Sequence, residues 1–471
     1  MAINRLCVFG GSLNPPHETH VEAATRASRR FDRTRVVICG IRPTKGSNNA
    51  VDPAHRANMA RIAFDDIPGV ELDLDDLERD EFLRTTDLDR LWKKRLGGGW
   101  EVWHMIGSDL IVGGASGRSE IQMSWKDGAR VWNELNFVIV PREGYPFTEA
   151  DLPPHREVLD GTGRSDASSD ARLAFARGDT APPGVPPRVA AYVVRFGLYS
   201  AAPGAKRFGR LTLPRNPNLF VIPAGENERA RAIMDEVNPH GANDPDAVVA
   251  IGGDGHMLDV IGSVQPGIPI IGINAGHRGF LLNELTGEEF NAHVASGQPF
   301  DTHLLSKVEV EFRLPDGTWD PKKRYAFNDA WLERDSTQTA WIRVVAEGQN
   351  RHEIPCLACD TVLVSTPAGS TAYARAMGAP PQLIDTPVLL IAASAVADPV
   401  GWHHAMVPDD STVTFRVLDP AKRPVRAVID GIPYGPCIEM RVRRSRVESV
   451  ELAFLPGRSL GAKIAALQFP S

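Results

Sequence analysis

The sequence predicts an α/β protein: two doubly wound units in tandem, the second extended by a β-rich lobe. Three observations carry that expectation. Short apolar runs alternate with helix-compatible stretches in both halves, a glycine-rich loop closes one β-run in each half, and the last third trades helices for short strands broken by turns. Strand–helix alternation means βαβ units, parallel sheets and helices on both faces. Ligands in such sheets sit at the carboxyl ends of the strands, so chemistry is expected in the loops after Phe9, Cys39, Ile106 and Ile251.

In the first third, residues 5–9, 35–39, 100–106 and 136–140 read as buried parallel strands. Residues 20–31 and 52–64 between them read as helices with few breakers. A proline- and glycine-rich stretch at 181–187 precedes a helical pattern over 188–196. Residues 200–218 are rich in Pro, Gly and basic side chains and lack apolar periodicity, which predicts a linker. A new βα pattern then opens with a strand at 219–223, a helix at 227–237 and strands at 247–251 and 268–273. The expected organisation is a first domain over 1–200, a linker over 201–218 and a second domain over 219–471. That second domain divides into an α/β lobe (219–301) and a β-rich lobe (302–471).

The 471 residues include 52 Lys plus Arg against 59 Asp plus Glu, a formal charge of −7. An apolar share of 42% and a charged share of 24% suit a protein with a real core and exclude wholesale disorder, collagen and coiled coil. Mild acidity argues against a general nucleic-acid binder or a polybasic membrane binder. Five cysteines in so long a chain make no disulfide framework. Cys356 and Cys359 form one C-x-x-C without a second pair, read as two buried thiols in a strand-rich region. His403 and His404 have no partner at ligand spacing and read as an ordinary polar loop. No apolar run reaches the ~18–20 residues that span a bilayer; the best candidate, 387–397, ends in Asp398. The start runs straight into strand-like residues 6–9 with no signal-peptide pattern. The expected location is the cytoplasm.

Directly after the first strand stands Gly10-Gly11-Ser12-Leu13-Asn14-Pro15-Pro16-His17-Glu18-Thr19-His20. Glycines let backbone approach a phosphate closely, and a helix N-terminus offers unpaired N–H groups at a positive dipole end. Two His three residues apart at a helix start project to one side, where they can stabilise charge on a departing pyrophosphate. This loop resembles the GxFxPxHxGH signature of the nucleotidyltransferase superfamily, and more narrowly that of bacterial nicotinate mononucleotide adenylyltransferases. Other segments follow the same family in order: Pro43-Thr44-Lys45, Arg56 with Met59, Gly107-Ser108-Asp109-Leu110, and Ser168-Ser169-Asp170-Ala171-Arg172.

The resemblance implies a Rossmann-like domain that joins a pyridine mononucleotide to the adenylyl group of ATP and releases pyrophosphate. It makes His17 and His20 catalytic. Gly10, Gly11, Ser12, Lys45, Gly107, Ser108, Asp109, Ser168, Ser169 and Arg172 become nucleotide and phosphate ligands. Thr19 stands where the family keeps Gly. Thr85-Thr86 stand in the pyridine-ring loop, which lacks the family's Tyr. The choice between nicotinate and nicotinamide mononucleotide therefore stays open.

After the strand at 247–251 comes Gly252-Gly253-Asp254-Gly255. Glycine amides there can contact phosphates while one carboxylate faces a substrate hydroxyl, as in phosphoryl transfer to an alcohol. Three further segments follow: Gly272-Ile273-Asn274-Ala275-Gly276-His277-Arg278-Gly279-Phe280-Leu281, Asn328-Asp329, and Thr366-Pro367-Ala368-Gly369-Ser370-Thr371-Ala372-Tyr373. Together these resemble the NAD kinases, in details the short ones of alphaproteobacteria, from about residue 219 onward. The resemblance implies an α/β lobe plus a β-rich lobe. It makes Asp254 the base for the adenosine 2′-hydroxyl and puts Gly253, Gly255 and Asn274 beside it. It assigns Asn328 and Asp329 to a ribose, Asp360 to the nicotinamide side, and Ser370, Thr371, Ala372 and Tyr373 to the adenosine. Asp430-Gly431 matches a late family motif, and a plain turn explains it equally well.

The combined resemblance implies a bifunctional enzyme of NAD and NADP biosynthesis that takes small molecules (ATP, nicotinamide or nicotinate mononucleotide, and NAD), not nucleic acid or membrane. It implies Mg²⁺ or another divalent cation, with no direct protein ligand assigned, ATP as co-substrate, and a homo-oligomer built through the kinase domain. Two alternatives stay open: one domain as a silent NAD-binding regulator, or a first domain acting on a non-pyridine substrate.

Overall fold

The computed structural model describes residues 3–41, 51–160, 166–200, 207–237, 244–277, 279–458 and 460–468. The chain divides into two units, Met1–Lys206 and Arg207–Ser471. Among the described residues of the first unit, β1 (Asn4–Gly11), β2 (Arg33–Ile38), β3 (Val70–Asp73), β4 (Trp100–Gly107), β5 (Asn136–Val140) and β6 (Arg156–Val158) form one sheet. Their order is β3-β2-β1-β4-β5-β6, and every pairing is parallel. That is a Rossmann-like winding. The chain reverses direction of progress between β1 and β4, the crevice where such sheets bind ligands.

Alternation along β1 explains its central place. Leu6 and Val8 pack with Val37, Leu88 and Trp92 on one face. Cys7 packs with Ala23, Ala27, Phe31 and Val138 on the other. The strands anticipated from sequence sit where their apolar runs end, within a few residues. The unforeseen ones, β3 and β6, are edge strands of 4 and 3 residues. Elements that short carry too few apolar positions for a period to show.

The second unit begins earlier than its composition predicts. Residues 201–206 of the expected linker lie outside the described residues, but β7 (Phe208–Leu211) pairs antiparallel with the start of β11 (Phe300–Arg313). Leu211 and Leu213 are buried. A four-residue edge strand among prolines is held by backbone pairing rather than by an apolar stripe, so sequence periodicity misses it. β8 (Leu219–Pro223), β9 (Ala247–Gly252) and β10 (Ile270–Asn274) are parallel.

Strands then succeed one another: β12 (Arg324–Ala326), β13 (Asp329–Arg334), β14 (Ala340–Glu347), β15 (Arg351–Cys359) and β16 (Thr361–Ser365). They continue as β17 (Val388–Ser394), β18 (His404–Pro408), β19 (Thr412–Val417), β20 (Val425–Ile429), β21 (Ile432–Cys437) and β22 (Glu439–Phe454). The long β22 joins the two lobes: its far end pairs parallel with β10, while its length pairs antiparallel with β11 and β19. A separate sheet, β18-β17-β16-β13-β20-β21, packs face to face on the antiparallel part. Phe312, Ile342, Phe415 and Val442 of the first sheet share a core with Leu332, Val364, Ile391 and Ala427 of the second. This sandwich is the β-rich lobe. Cys356 and Cys359 lie on β15 as free thiols, Cys359 buried and pushed up to about 12 by that burial. No helix among the described residues is long and apolar enough to cross a membrane.

Candidate active sites

The first glycine loop leaves the end of β1, and His17 caps the helix Glu18–Ser28 that follows. The His17 backbone N–H donates to Nδ1 of His20 at 3.2 Å. The two rings stack with centroids 3.4 Å apart. Burial, then His17, then Arg142 hold His20 well below the ordinary imidazole range. A neutral His20 whose Nδ1 accepts must carry its proton on Nε2. The ring is thus a hydrogen-bond donor rather than a source of fixed positive charge.

A distant helix completes the loop. Ser168–Ala176 begins beside it: Ser168 Oγ donates to the Pro15 carbonyl at 2.9 Å, and Arg172 donates to the Asn14 carbonyl at 2.8 Å. Arg56 donates to the carbonyls of Ser12 at 2.8 Å and Cys39 at 2.7 Å. These cations grip backbone oxygens and fix the loop's shape while keeping positive charge beside it. Ser169 is exposed at the start of the same helix, its Oγ turned to Asp170 at 3.4 Å.

At the end of β4, a Cβ on Gly107 would stand 2.3 Å from Asp109 Oδ1, so a larger residue there would displace the Asp109 side chain. Ser108 Oγ accepts from the Arg142 N–H at 2.9 Å and donates to the Tyr145 carbonyl at 3.2 Å. Asp109 pairs with the Arg142 guanidinium at 3.2 Å. Thr85 and Thr86 open the helix Thr85–Leu96, whose Leu88 lies 3.6 Å from where a Cβ on Gly10 would be. That helix therefore borders the loop from the β1 side. Lys45 lies outside the described residues.

Thr19 points away from the loop. Its hydroxyl donates to Asp166 Oδ2 at 3.0 Å, which ties the His-bearing helix to the approach of Ser168. The methyl and hydroxyl that the resemblance marks as foreign are thus accommodated by a hydrogen bond.

In the second unit, Gly253 caps the helix Asp254–Ser263, with Gly255 in its first turn. The Asp254 carboxylate accepts two backbone hydrogen bonds, from Phe280 N–H at 2.8 Å and Leu281 N–H at 3.0 Å. Its oxygens keep further lone pairs for a substrate hydroxyl. Asn274, at the end of β10, donates to Glu284 at 2.8 Å and accepts from Gly276 N–H at 2.9 Å. That pins the turn between β10 and Phe280.

Asn328 and Asp329 sit where β13 begins. The Asp430 carboxylate accepts from three successive backbone N–H groups: Phe327 at 2.7 Å, Asn328 at 2.8 Å and Asp329 at 3.1 Å. Asp430 is no plain turn residue. Asp329 is 3% exposed, and its Oδ2 has no hydrogen-bond partner among the described residues. Burial first, and the neighbouring Asp430 charge second, push its carboxyl up to about 8.

The loop of residues 366–373 packs on this pair. A Cβ on Gly369 would stand 2.2 Å from the Asn328 carbonyl. Ser370 Oγ donates to Pro367 at 2.6 Å and accepts from Gln382 N–H at 2.8 Å, and Thr371 Oγ1 donates to Ala368 at 3.3 Å. Ala372 is exposed, and Tyr373 meets Trp331 edge-on at 5.1 Å. Phe327 and Ala368 share a buried cluster with Met257 and Leu281, which brings Asn328 and Asp329 to the Asp254 helix. Asp360 is not brought there. It ion-pairs with Arg334 at 2.9 Å. Thr361 faces Glu333 while Ser365 faces Asp329, so Asp360 lies at the far end of the β13–β16 pair. At about 3.3 Å per residue that is more than roughly 13 Å of strand.

Comparison with known proteins agrees with this division. Residues 209–294 match the family model described as the ATP-NAD kinase N-terminal domain. The NAD kinase of Caulobacter vibrioides is 33% identical over 243 residues, a match covering 51% of this chain and 90% of the relative. The chain belongs to the NAD kinase family. The NAD kinase of Rhizobium meliloti is 32% identical over 256 residues, covering 54% of this chain and 97% of the relative. Residues 8–171 match the cytidylyltransferase-like family model, so a nucleotidyltransferase-type unit precedes the NAD kinase unit. A solved structure of yeast NADH kinase complexed with NADH superposes with a TM-score of 0.47 at 18% identity, over 55% of this chain and 89% of that one.

Sequence patterns assign no site role to three charged residues beside the two sites. Arg142 faces His20 from beyond β5. Asp430 holds the backbone of Asp329 across 101 residues of chain. Lys463 donates to the carbonyls of Gly279 at 3.2 Å and Phe280 at 3.1 Å, in the turn that grips Asp254. For Arg142 and Lys463 the sequence offers only a charge; for Asp430 the late Asp-Gly is a signal, and a turn accounts for it.

Proposed function

We propose that the chain is a bifunctional enzyme. The unit Met1–Lys206 transfers the adenylyl group of ATP to nicotinamide or nicotinate mononucleotide, and the unit Arg207–Ser471 phosphorylates the 2′-hydroxyl of NAD with ATP. The observation that carries this reading is the presence, on one chain, of two glycine-loop sites of opposite chemistry. One is lined by arginines and paired imidazoles; the other is centred on a carboxylate held by two amides.

In the first unit, a mononucleotide 5′-phosphate oxygen attacks the α-phosphorus of ATP in line, and pyrophosphate leaves. The residues act by position and charge, since no covalent group is needed. The neutral His20 donates from Nε2 to the phosphates, and Arg172 and Arg142 supply fixed positive charge. Ser168 and the start of its helix add donors at the positive dipole end. Lys45 joins these by resemblance. In the second unit, Asp254 accepts the 2′-hydroxyl proton as that oxygen attacks the γ-phosphorus, and ADP leaves with the bridging oxygen. The unpartnered Asp329 oxygen is a fit for a ribose hydroxyl, and Asn328 and the Ser370–Tyr373 loop hold the adenosine side. Among the described residues, no three His, Cys, Asp or Glu stand together as metal ligands. Mg²⁺ commonly rides on substrate phosphates with few protein ligands. It would arrive with ATP and neutralise phosphate charge.

The test is direct. The purified chain is given ATP with each pyridine mononucleotide while pyrophosphate is measured, and separately ATP with NAD while NADP is measured. Pyrophosphate release with one or both mononucleotides, and NADP from NAD, are expected. Failure with both mononucleotides while a non-pyridine nucleotide reacts would overturn the first assignment. Absence of NADP would overturn the second.

A further inference from the structure

The turn that grips Asp254 is itself gripped from behind. The peptide group joining Gly279 to Phe280 donates its N–H to Asp254 Oδ2 at 2.8 Å, and its carbonyl accepts from Lys463 Nζ at 3.2 Å. The next peptide group, joining Phe280 to Leu281, does the same. Its N–H reaches Asp254 Oδ1 at 3.0 Å and its carbonyl accepts from Lys463 at 3.1 Å. A third carbonyl, Leu282, also accepts from Lys463. Two consecutive peptide dipoles are therefore held between an ammonium and a carboxylate, each oriented as both charges favour.

An ammonium group has three donors, and three carbonyls take them. Lys463 therefore has no donor left for a phosphate, and its action on the reaction runs through the turn. Its surroundings agree. Lys463 is partly buried, and burial lowers its pKa, with Glu284 and Asp254 opposing and Arg458 adding to that effect. The segment that carries it is docked independently. Leu455 N–H donates to Asn283 Oδ1 at 2.9 Å, and Arg458 donates to the Glu284 carbonyl at 3.2 Å. Ile464, beside Lys463, is 1% exposed within the cluster of Met257, Leu281 and Leu282.

We propose that Lys463, on the helix Leu460–Gln468, is a positioning residue of the kinase site: through the Gly279–Leu282 turn it fixes the orientation of the Asp254 carboxylate. This rests on the reading of Asp254 as the kinase base. A turn released from Lys463 still has both N–H donors, but nothing holds their direction. Misplacement of a reacting group by about 1 Å can cost about a hundredfold in rate. Lys463 bonds none of the residues assigned here to NAD, so NAD binding is expected to be spared.

The experiment uses the full chain, its Lys463→Met and Lys463→Arg variants, and each change combined with Asp254→Asn. Lys463→Met is expected to lower kcat for NADP formation by about 10–100-fold with KM for NAD within about threefold, the signature of lost transition-state positioning rather than lost binding. Lys463→Arg, which keeps charge and several donors, recovers most of that loss. In the Asp254→Asn background Lys463→Met adds no further loss, since two residues acting through one group are not additive. Lys463→Gln keeps two donors without the charge, and replaces Lys463→Met in this scheme should the latter fail to fold. Unchanged kcat in a folded Lys463→Met chain, a loss confined to KM, or losses that multiply with Asp254→Asn would each overturn the role of Lys463. A wild-type chain that makes no NADP, or an Asp254→Asn chain that makes it at full rate, would instead overturn the kinase reading beneath it.

Discussion

The two glycine loops hold the same place in two sheets, after a parallel strand and before a helix, yet the charges around them have opposite sign. In the first, Arg172 holds the loop at Asn14, and Arg142 lies beside His20, which stacks on His17. Asp254 lies between Gly253 and Gly255, with Asp329 and Asp430 beyond. The difference follows the chemistry each site is proposed to run. Expelling pyrophosphate leaves negative charge that donors and cations must meet, whereas attack by a hydroxyl leaves a proton that a carboxylate must take. A glycine loop therefore tells where phosphate is handled, and the neighbouring side chains tell what is done with it.

The contrast can be broken at its two centres. Asp254→Asn is expected to lower NADP formation by about 10²–10⁴-fold, the usual range for a positioned proton acceptor, while pyrophosphate release stays at the wild-type rate. His20→Ala is expected to lower pyrophosphate release by about 10²–10³-fold, as for one missing donor to developing charge, with NADP formation from supplied NAD unaffected. Should either change abolish both activities, the sites are not independent and the comparison fails. A smaller effect is expected from Asp430→Asn, which leaves its three backbone donors poorly matched. Its cost is about 1–3 kcal/mol of stability in the second unit, read by denaturant unfolding, with no change in the first.

The remaining effects are in pH dependence, and the two units tilt in opposite directions. Folding keeps a proton on Asp329, raised to about 8, that the unfolded carboxyl has lost above about 4. The unfolded chain binds fewer protons there, so the stability of the second unit falls as pH rises from about 4 through about 8. Asp329→Asn should flatten that slope. His20 is the mirror case. Its folded-state pKa is depressed, so its contribution is complete above about 6.5 and is lost as pH falls below that value. His20→Ala should flatten the acid limb of the first unit's melting curve, measured as Tm against pH. A steeper slope in either variant would contradict the burial argument.

Legibility in the sequence tracks distance along the chain. Gly10 to His20 are neighbours, and a strand end, a glycine pair and a helix start suffice to predict that they form one site. The loop at Gly252–Gly255 reads the same way. Asp430 reads as a turn because its partners, the amides of residues 327–329, are 101 to 103 residues away. Arg142 passes for an ordinary strand-end cation for a similar reason, since His20 precedes it on another element. Thr19 looks like a misfit until Asp166 is seen to accept its hydroxyl. Asp360, which the resemblance assigns to the nicotinamide side, lies at the opposite end of β13 and β16 from Asn328 and Asp329, a separation that strand register sets and local sequence does not show.

By itself the sequence determined the α/β class and the two glycine loops at strand ends. Those properties come from period, propensity and φ/ψ freedom, which act over a few residues. Only the tertiary structure decided that His20 is neutral, that Asp329 keeps its proton, and that Lys463 and Asp430 hold turns rather than solvent. Protonation and orientation depend on burial and on partners brought from far along the chain, and no local pattern encodes either.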